Sequence, residues 1–310
     1  MKRPFLLCCF VLISLQSFSW GFYAHRLINF QAVFLLPPEM LFFFKHHIAW
    51  LREHAVDPDR RRYLMPGEGP RHFIDLDHYI IDSLPRNWKA AVNKYPADSL
   101  QAHGIVPWWL QTMQLRLTKA FREKNAASIL KLAADIGHYI GDAHVPLHAC
   151  SNYDGQKTDQ RGIHALWESA LPELLAEEQW QLFTMRAFYI QHPADFFWER
   201  VLESGRAADT VLQVEKRLAA AFPPDARYSF IERNGKLQRQ YSVNYVSAYH
   251  QQLNEMTERR LKASIQAVAA SWYTAWVNAG QPDLIQLMEG ITDTVKKRNI
   301  QLLGRFWKKD

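Results

Sequence analysis

Apolar residues recur at helical spacing through most of this chain. The stretches AHRLINFQAVFLL, from Ala24, and PEMLFFFKHHIAWLREHA, from Pro38, both place apolar side chains three and four residues apart, the mark of amphipathic helices. Residues 57 to 86 break that period. Pro58, Pro66, Gly67, Gly69, Pro70 and Pro85 interrupt them, so a loop is expected there. Helical spacing returns near 105–124, 126–145, 163–176, 195–222 and 244–279, and Gly280 marks the last stop. Residues 227–242 alternate around Asn234-Gly235 and predict a short hairpin. No internal repeat, low-complexity tract or linker divides the chain. The expected architecture is all-α: one multi-helix domain over 20–290, with a hairpin insertion and a basic tail over 291–310. The tail, ending FWKKD, reads as an amphipathic surface helix.

The first nineteen residues do not fit the domain. Lys2 and Arg3 precede the apolar run FLLCCFVLISL, and Ser17-Phe18-Ser19 offers a small-x-small cleavage site. This is the pattern of a secretory signal peptide, and the run is shorter than the ~20 residues a spanning helix needs. Cleavage between Ser19 and Trp20 would export the protein, to a periplasm or outside the cell. It would also remove two of the three cysteines and leave Cys150 with no partner for a disulfide. The roughly 290 residues that remain, in a chain that is 48% hydrophobic, are enough to bury a sizeable core. The net charge of +6 permits a phosphate-bearing substrate without requiring one.

The chemistry is concentrated in LAADIGHYIGDAHVPLHACSNYDGQKTDQRGIHALWES, residues 132–169. His138 and Asp142 lie four apart in an apolar helical run and so project from one face. His148 follows Pro146, which ends the helix. His164 and Glu168 repeat the four-residue spacing on the next helix. One such pair alone is more often a solvated ion pair or a satisfied core histidine. Two pairs with a histidine between them, on an apolar background where lone charges are costly, point to a metal bound by nitrogen and oxygen, of which zinc is the best fit. A second concentration, RHFIDLDHY over residues 71–79, lies in the proline-rich segment.

Five motifs in order then resemble a known superfamily, the zinc-dependent bacterial phospholipases C together with the single-strand-specific nucleases of fungi and plants. They are W20-G-F-Y-A-H25, D57-P-D-R60, H72-F-I-D75, H138-Y-I-G-D142-A-H-V-P-L-H148 and H164-A-L-W-E168. The resemblance implies up to three zinc ions. One would be held by Asp57, His72, His138 and Asp142. A second would be held by the α-amine and carbonyl of Trp20 with His25, sharing Asp142 as a bridge. The third would be held by His148, His164 and Glu168. It also implies substrate contacts from Phe73 and Asp75. Asp77 and His78 are expected at the surface or just outside the ligands, and His144 outside the ligand set.

The activity implied is phosphoester hydrolysis by a hydroxide held between two zinc ions, attacking phosphorus in line. Arg60 would fork onto the non-bridging oxygens, and Asp57 would orient the nucleophile or serve only as a ligand. Glu168 and the sixteen-residue step from His148 to His164 resemble the phospholipases. The W-G-x-x-x-H start, the Asp57-to-His72 gap and Arg60 resemble the nucleases and 3′-nucleotidases. The substrate is therefore a phospholipid head group, reached by transient contact with a membrane surface, or single-stranded nucleic acid. A third reading is a non-catalytic helical binding protein that zinc only stabilises. No obligate protein partner is indicated.

Overall fold

A computed structural model describes residues 21–287, apart from Tyr63 and Asn234. The expected signal peptide, Trp20 and the basic tail lie outside the described residues. The fold is all-α, with one two-stranded hairpin. Among the described residues no helix is long and apolar enough to cross a membrane.

In chain order, α1 (Phe22–Val33), α2 (Pro38–His46), α3 (Ile48–His54) and α4 (Asp57–Arg62) open the fold. Short 3₁₀ turns follow at Gly69–His72, Leu76–His78 and Ile81–Ser83. Next come α5 (Trp88–Lys94), α6 (Ala97–Ala102), α7 (Val106–Arg122) and α8 (Ala126–Ala143), and a 3₁₀ turn at Pro146–Ala149. A three-residue helix α9 (Ile163–Ala165) runs through a π-helical turn (Leu166–Ala170) into α10 (Leu171–Gln179). The remainder is α11 (Pro193–Ala221), a 3₁₀ turn at Pro224–Ala226, β1 (Tyr228–Arg233), β2 (Lys236–Tyr241), α12 (Val243–Gln252) and α13 (Met256–Asn278).

Capping chemistry sets several of these boundaries. Asn125 accepts the backbone N–H of Ser128 at the start of α8, and Ser242 does the same for Tyr245 at the start of α12. Proline sits in the first turn of α2, α7 and α11, where its missing N–H costs nothing. The hairpin pairs Tyr228 with Tyr241 through Arg233 with Lys236, and Gly235 turns it at φ 70°.

Three expectations change in detail. The helix expected over 244–279 is divided, because Asn254 and Glu255 both adopt left-handed backbone, φ 50° and 58°. His47 likewise separates α2 from α3. The segment 57–86 is not wholly loop: Pro58 and Pro70 sit in the first turns of α4 and of the 3₁₀ turn Gly69–His72, where a missing N–H costs nothing.

The core is built around α8, which packs against α1, α3, α7 and α13. Trp272 is fully buried and donates its indole N–H to the carbonyl of Ala133. Gln114 of α7 and Ser271 of α13 exchange hydrogen bonds at 2.6 and 3.0 Å. Two glycines one turn apart let α1 approach α8. A Cβ on Gly137 would lie 1.9 Å from Asn29 Oδ1, and one on Gly141 3.0 Å from His25 Nδ1. Asn29 uses the space to donate to the carbonyl of Ala134 at 3.1 Å.

Gly137→Ala should therefore destabilise the fold by about 1–3 kcal/mol, the usual cost of overpacking. A thermal melt with an unchanged midpoint would show that α1 and α8 are not in this close contact.

Candidate metal centre

Helix α8 supplies the centre of the site. His138 and Asp142, one turn apart, both project into the gap that Gly137 and Gly141 keep open toward α1, and both are wholly buried. The two oxygens of Asp142 face different neighbours. Oδ2 lies 2.9 Å from His72 Nδ1 and 3.2 Å from His138 Nε2. Oδ1 lies 3.4 Å from His25 Nε2 and 3.5 Å from His148 Nδ1. The His25 ring stacks on that of His138, centroids 3.8 Å apart. One carboxylate thus touches every histidine of the inner group and reaches a histidine of the outer one.

The outer group is His148, His164 and Glu168. His148 comes from the turn after Pro146. His164 comes from α9, and Glu168 from the π-helical turn, a distortion that often marks a functional position. His148 Nε2 lies 3.2 Å from His164 Nε2 and 3.4 Å from Glu168 Oε2, and His164 Nε2 lies 3.2 Å from Glu168 Oε1. The N–H of Gly21 donates to the carbonyl of Glu168 at 3.2 Å, so the start of α1 is fastened beside this group. Trp20, expected as a ligand through its amine, lies outside the described residues.

Backbone carbonyls fix which ring nitrogen faces inward. Nδ1 of His138 lies 2.9 Å from the Ala55 carbonyl, Nδ1 of His148 2.8 Å from that of His72, and Nδ1 of His164 2.9 Å from that of Tyr153. A carbonyl can only accept, so each Nδ1 carries a hydrogen and each Nε2 is the nitrogen that can offer a lone pair to a cation in the site. Nε2 of His148 and Nε2 of His164 face each other, an arrangement that needs a cation between them, a metal ion or a shared proton. Donors held about 2.0–2.1 Å from a tetrahedral zinc lie about 3.3 Å apart, and the three separations in the outer group match that value. Among the described residues neither oxygen of Glu168 and neither oxygen of Asp59 has a hydrogen-bond partner, although both side chains are buried. These residues fit zinc.

Asp59 was not expected here. Asp57 does not reach the buried groups; it binds His54 Nδ1 at 2.6 Å and Arg60 at 3.1 Å, near the surface. Asp59 faces His138 Nε2 at 3.5 Å and His72 Nδ1 at 3.7 Å instead. Residues two apart on a helix turning ~100° per residue point in nearly opposite directions, so only one of the two can face inward. The signal lay in the helical phase: Ala55, Val56, Pro58 and Asp59 form one buried stripe. Treating 57–86 as loop hid that phase.

The other expected residues are placed as follows. Arg60 is half exposed, bonded to Glu53 and Asp57, and its guanidinium lies over the Phe22 ring. Phe73 and Asp75 follow His72, and the intervening Ile74 donates its N–H to the carbonyl of His148 in the outer group. His144 is buried, with Nδ1 bonded to the Ile140 carbonyl rather than to the cluster. Glu68, which carried no signal in its Pro/Gly-rich loop, is buried behind His72. Its oxygens accept from Tyr139 and from Arg71, and one lies 3.9 Å from His72 Nε2.

Electrostatics divide the site into charged halves. Burial pushes the carboxyl of Asp142 up, but the imidazoles of His138 and His148 outweigh it and hold it well below the usual range. Asp59 is likewise held at about 2, burial being overcome chiefly by His138. Burial pushes Glu168 up, but His164 and His148 together outweigh it and lower its carboxyl. Burial lowers His25 and His72, whereas His138 is raised because Asp142 and Asp59 outweigh its burial. All three carboxylates therefore stay ionised at neutral pH, as ligands must.

Two outcomes follow. Zinc should raise the melting temperature of the metal-stripped protein. Asp59→Asn should lose at least half of that rise and Asp57→Asn should keep it; the reverse order would return Asp57 to the cluster. The second concerns His144, lowered from 6.5 to about 3 by burial and then by the charge of Arg260. Below pH 6.5 the unfolded chain takes up a proton that the folded form refuses. Stability should therefore fall from pH 6.5 toward 3, by up to ~1.4 kcal/mol per pH unit from this residue. Above 6.5 it adds no slope. Denaturant unfolding of His144→Gln should show a shallower acid dependence than the native protein. The chain matches no protein-family model and has no significant match among curated proteins.

Proposed function

We propose that this protein is an exported, zinc-dependent phosphodiester hydrolase of phospholipase C type. The observation that carries the reading is the pair of ligand groups joined by one buried carboxylate, Asp142, with inward nitrogens fixed by backbone carbonyls. A purely structural zinc site is closed by four ligands and needs no such bridge. Joined groups suit a substrate that spreads negative charge over several oxygens.

The inner group, His25, Asp59, His72, His138 and Asp142, and the outer group, His148, His164 and Glu168, would hold the zinc. When bound, zinc supplies Lewis acidity toward the phosphoryl oxygens and makes a water nucleophile available near neutral pH. The protein's own groups hold this arrangement. Ala55, His72 and Tyr153 orient three imidazoles through their carbonyls. Glu68, fixed by Tyr139 and Arg71, stands behind His72. Arg60 has two of its five N–H groups engaged by Glu53 and Asp57, leaving donors for a phosphoryl oxygen. Phe73, half-buried beside His72, would meet the substrate's organic part. The phospholipase direction rests on Glu168, whose carboxylate is drawn into the outer group by the π-helical turn.

The test is hydrolysis of phosphatidylcholine vesicles and of single-stranded DNA by zinc-loaded protein beginning at Trp20, each with and without chelator. Chelator-sensitive lipid cleavage is expected, and His148→Ala should reduce it at least ~100-fold. Chelator-sensitive cleavage of DNA alone would move the protein to nuclease chemistry with the same ligands. Activity that persists in His148→Ala would remove the metal mechanism.

A further inference from the structure

Outside the cluster, a second set of ligand-type side chains meets at the surface. We propose that Asp75, His78 and His103 form an independent, solvent-facing site for a borderline divalent transition-metal ion, of the class of zinc, cobalt or nickel.

Local geometry brings the three together. Asp75 caps the 3₁₀ turn Leu76–His78. Such a turn has three residues per revolution, so side chains three apart eclipse and Asp75 and His78 share one side. His103 ends α6, and its carbonyl accepts the N–H of Asp75 at 2.8 Å. The two segments can approach this closely because the next residue is Gly104, at φ +84°, where a Cβ would lie 2.1 Å from the Phe73 carbonyl oxygen. One ligand atom from each of the three side chains lies within 4.8 Å of the others. The rings of His78 and His103 stack with centroids 3.8 Å apart and 24° between planes.

The chemistry around the trio calls for a cation. Asp75 Oδ2 lies 3.4 Å from His103 Nδ1, long for a hydrogen bond but close to the ~3.3 Å between donors on a tetrahedral metal. Among the described residues no Lys or Arg lies within ion-pair distance of Asp75. The hydroxyl of Tyr79, kept neutral by burial and then by the nearby charge of Asp75, has no hydrogen-bond partner among the described residues. Two imidazoles and one carboxylate favour zinc, cobalt or nickel over magnesium or calcium, which prefer all-oxygen shells. The side chains of Asp75 and His103 are 14% and 29% exposed and His78 is exposed, so an ion can enter from solvent. Three ligands leave a coordination position open. A metal here would clip the segment carrying Phe73 to the end of α6, and that same segment is bonded through Ile74 to the backbone of His148.

The experiment is a calorimetric titration of the zinc-loaded, dialysed full protein with Co²⁺, with tightly held zinc measured by mass spectrometry. One further equivalent should bind to the native protein, and binding should weaken at least ~10-fold in His78→Gln and disappear in His78→Ala/His103→Ala. The dialysis-resistant zinc should be the same in all three. His78 is exposed, so the single variant keeps its fold. Equal Co²⁺ binding in native and double-variant protein, or none in the native protein, would overturn the proposal. If the buried cluster held no zinc, the surface equivalent would still titrate and still depend on His78, so the two readings fail separately.

Discussion

A carboxylate removed from water and ringed by imidazoles is the constraint on which this structure turns. Asp142 has no exposed surface, and His25, His72, His138 and His148 all lie within 3.5 Å of it. Leaving such a charge uncompensated would cost several kcal/mol, and even a well-made buried ion pair adds little to stability. The arrangement is a poor way to hold a fold together and a good way to hold a cation. The surrounding bundle supplies what the cluster does not. The Trp272 indole, the Gln114–Ser271 pair and the close fit of α1 on α8 keep the site from relaxing into a hydrated pocket.

Helices place His138 and Asp142, but the carbonyls that face the cluster's imidazoles lie on other segments. The three anchoring carbonyls accordingly come from ends and turns. Ala55 closes α3, His72 ends a 3₁₀ turn, and Tyr153 lies in the turn before α9. This explains why an otherwise regular bundle carries so much irregular chain around residues 57–86 and 144–162. The π-helical turn at Leu166–Ala170 belongs to the same solution, since it presents Glu168 in the turn after His164.

The buried cluster and the surface trio gather the same residue types in different dielectrics. In the first, every carboxylate is held ionised by facing imidazoles, and second-layer groups such as Glu68 and Tyr139 restrict how the ligands can move. In the second, water reaches each side chain, and the 3₁₀ turn, Gly104, the bond from the Asp75 N–H to the His103 carbonyl and the His78–His103 stack hold the geometry. The segment 72–78 links them, contributing His72 to one and Asp75 and His78 to the other.

By itself the sequence determined the helical class, the hairpin and the spacing of His138, Asp142, His148, His164 and Glu168. All of these depend on neighbours within a few residues, where a period of 3.6 or 2 translates directly into a face. The interruptions at His47 and at Asn254-Glu255 were not legible, because apolar periodicity runs through both and the breaks lie in backbone angles. Only the tertiary structure decided that Asp59 rather than Asp57 meets His72 and His138, that Glu68 stands behind the cluster, and that His103 comes beside Asp75. Each of these depends on which face of a short element turns toward a partner distant in the chain. That choice is made by packing; at Asp59 the burial of Ala55, Val56 and Pro58 shows the phase, whereas at Glu68 and His103 no local period marks it.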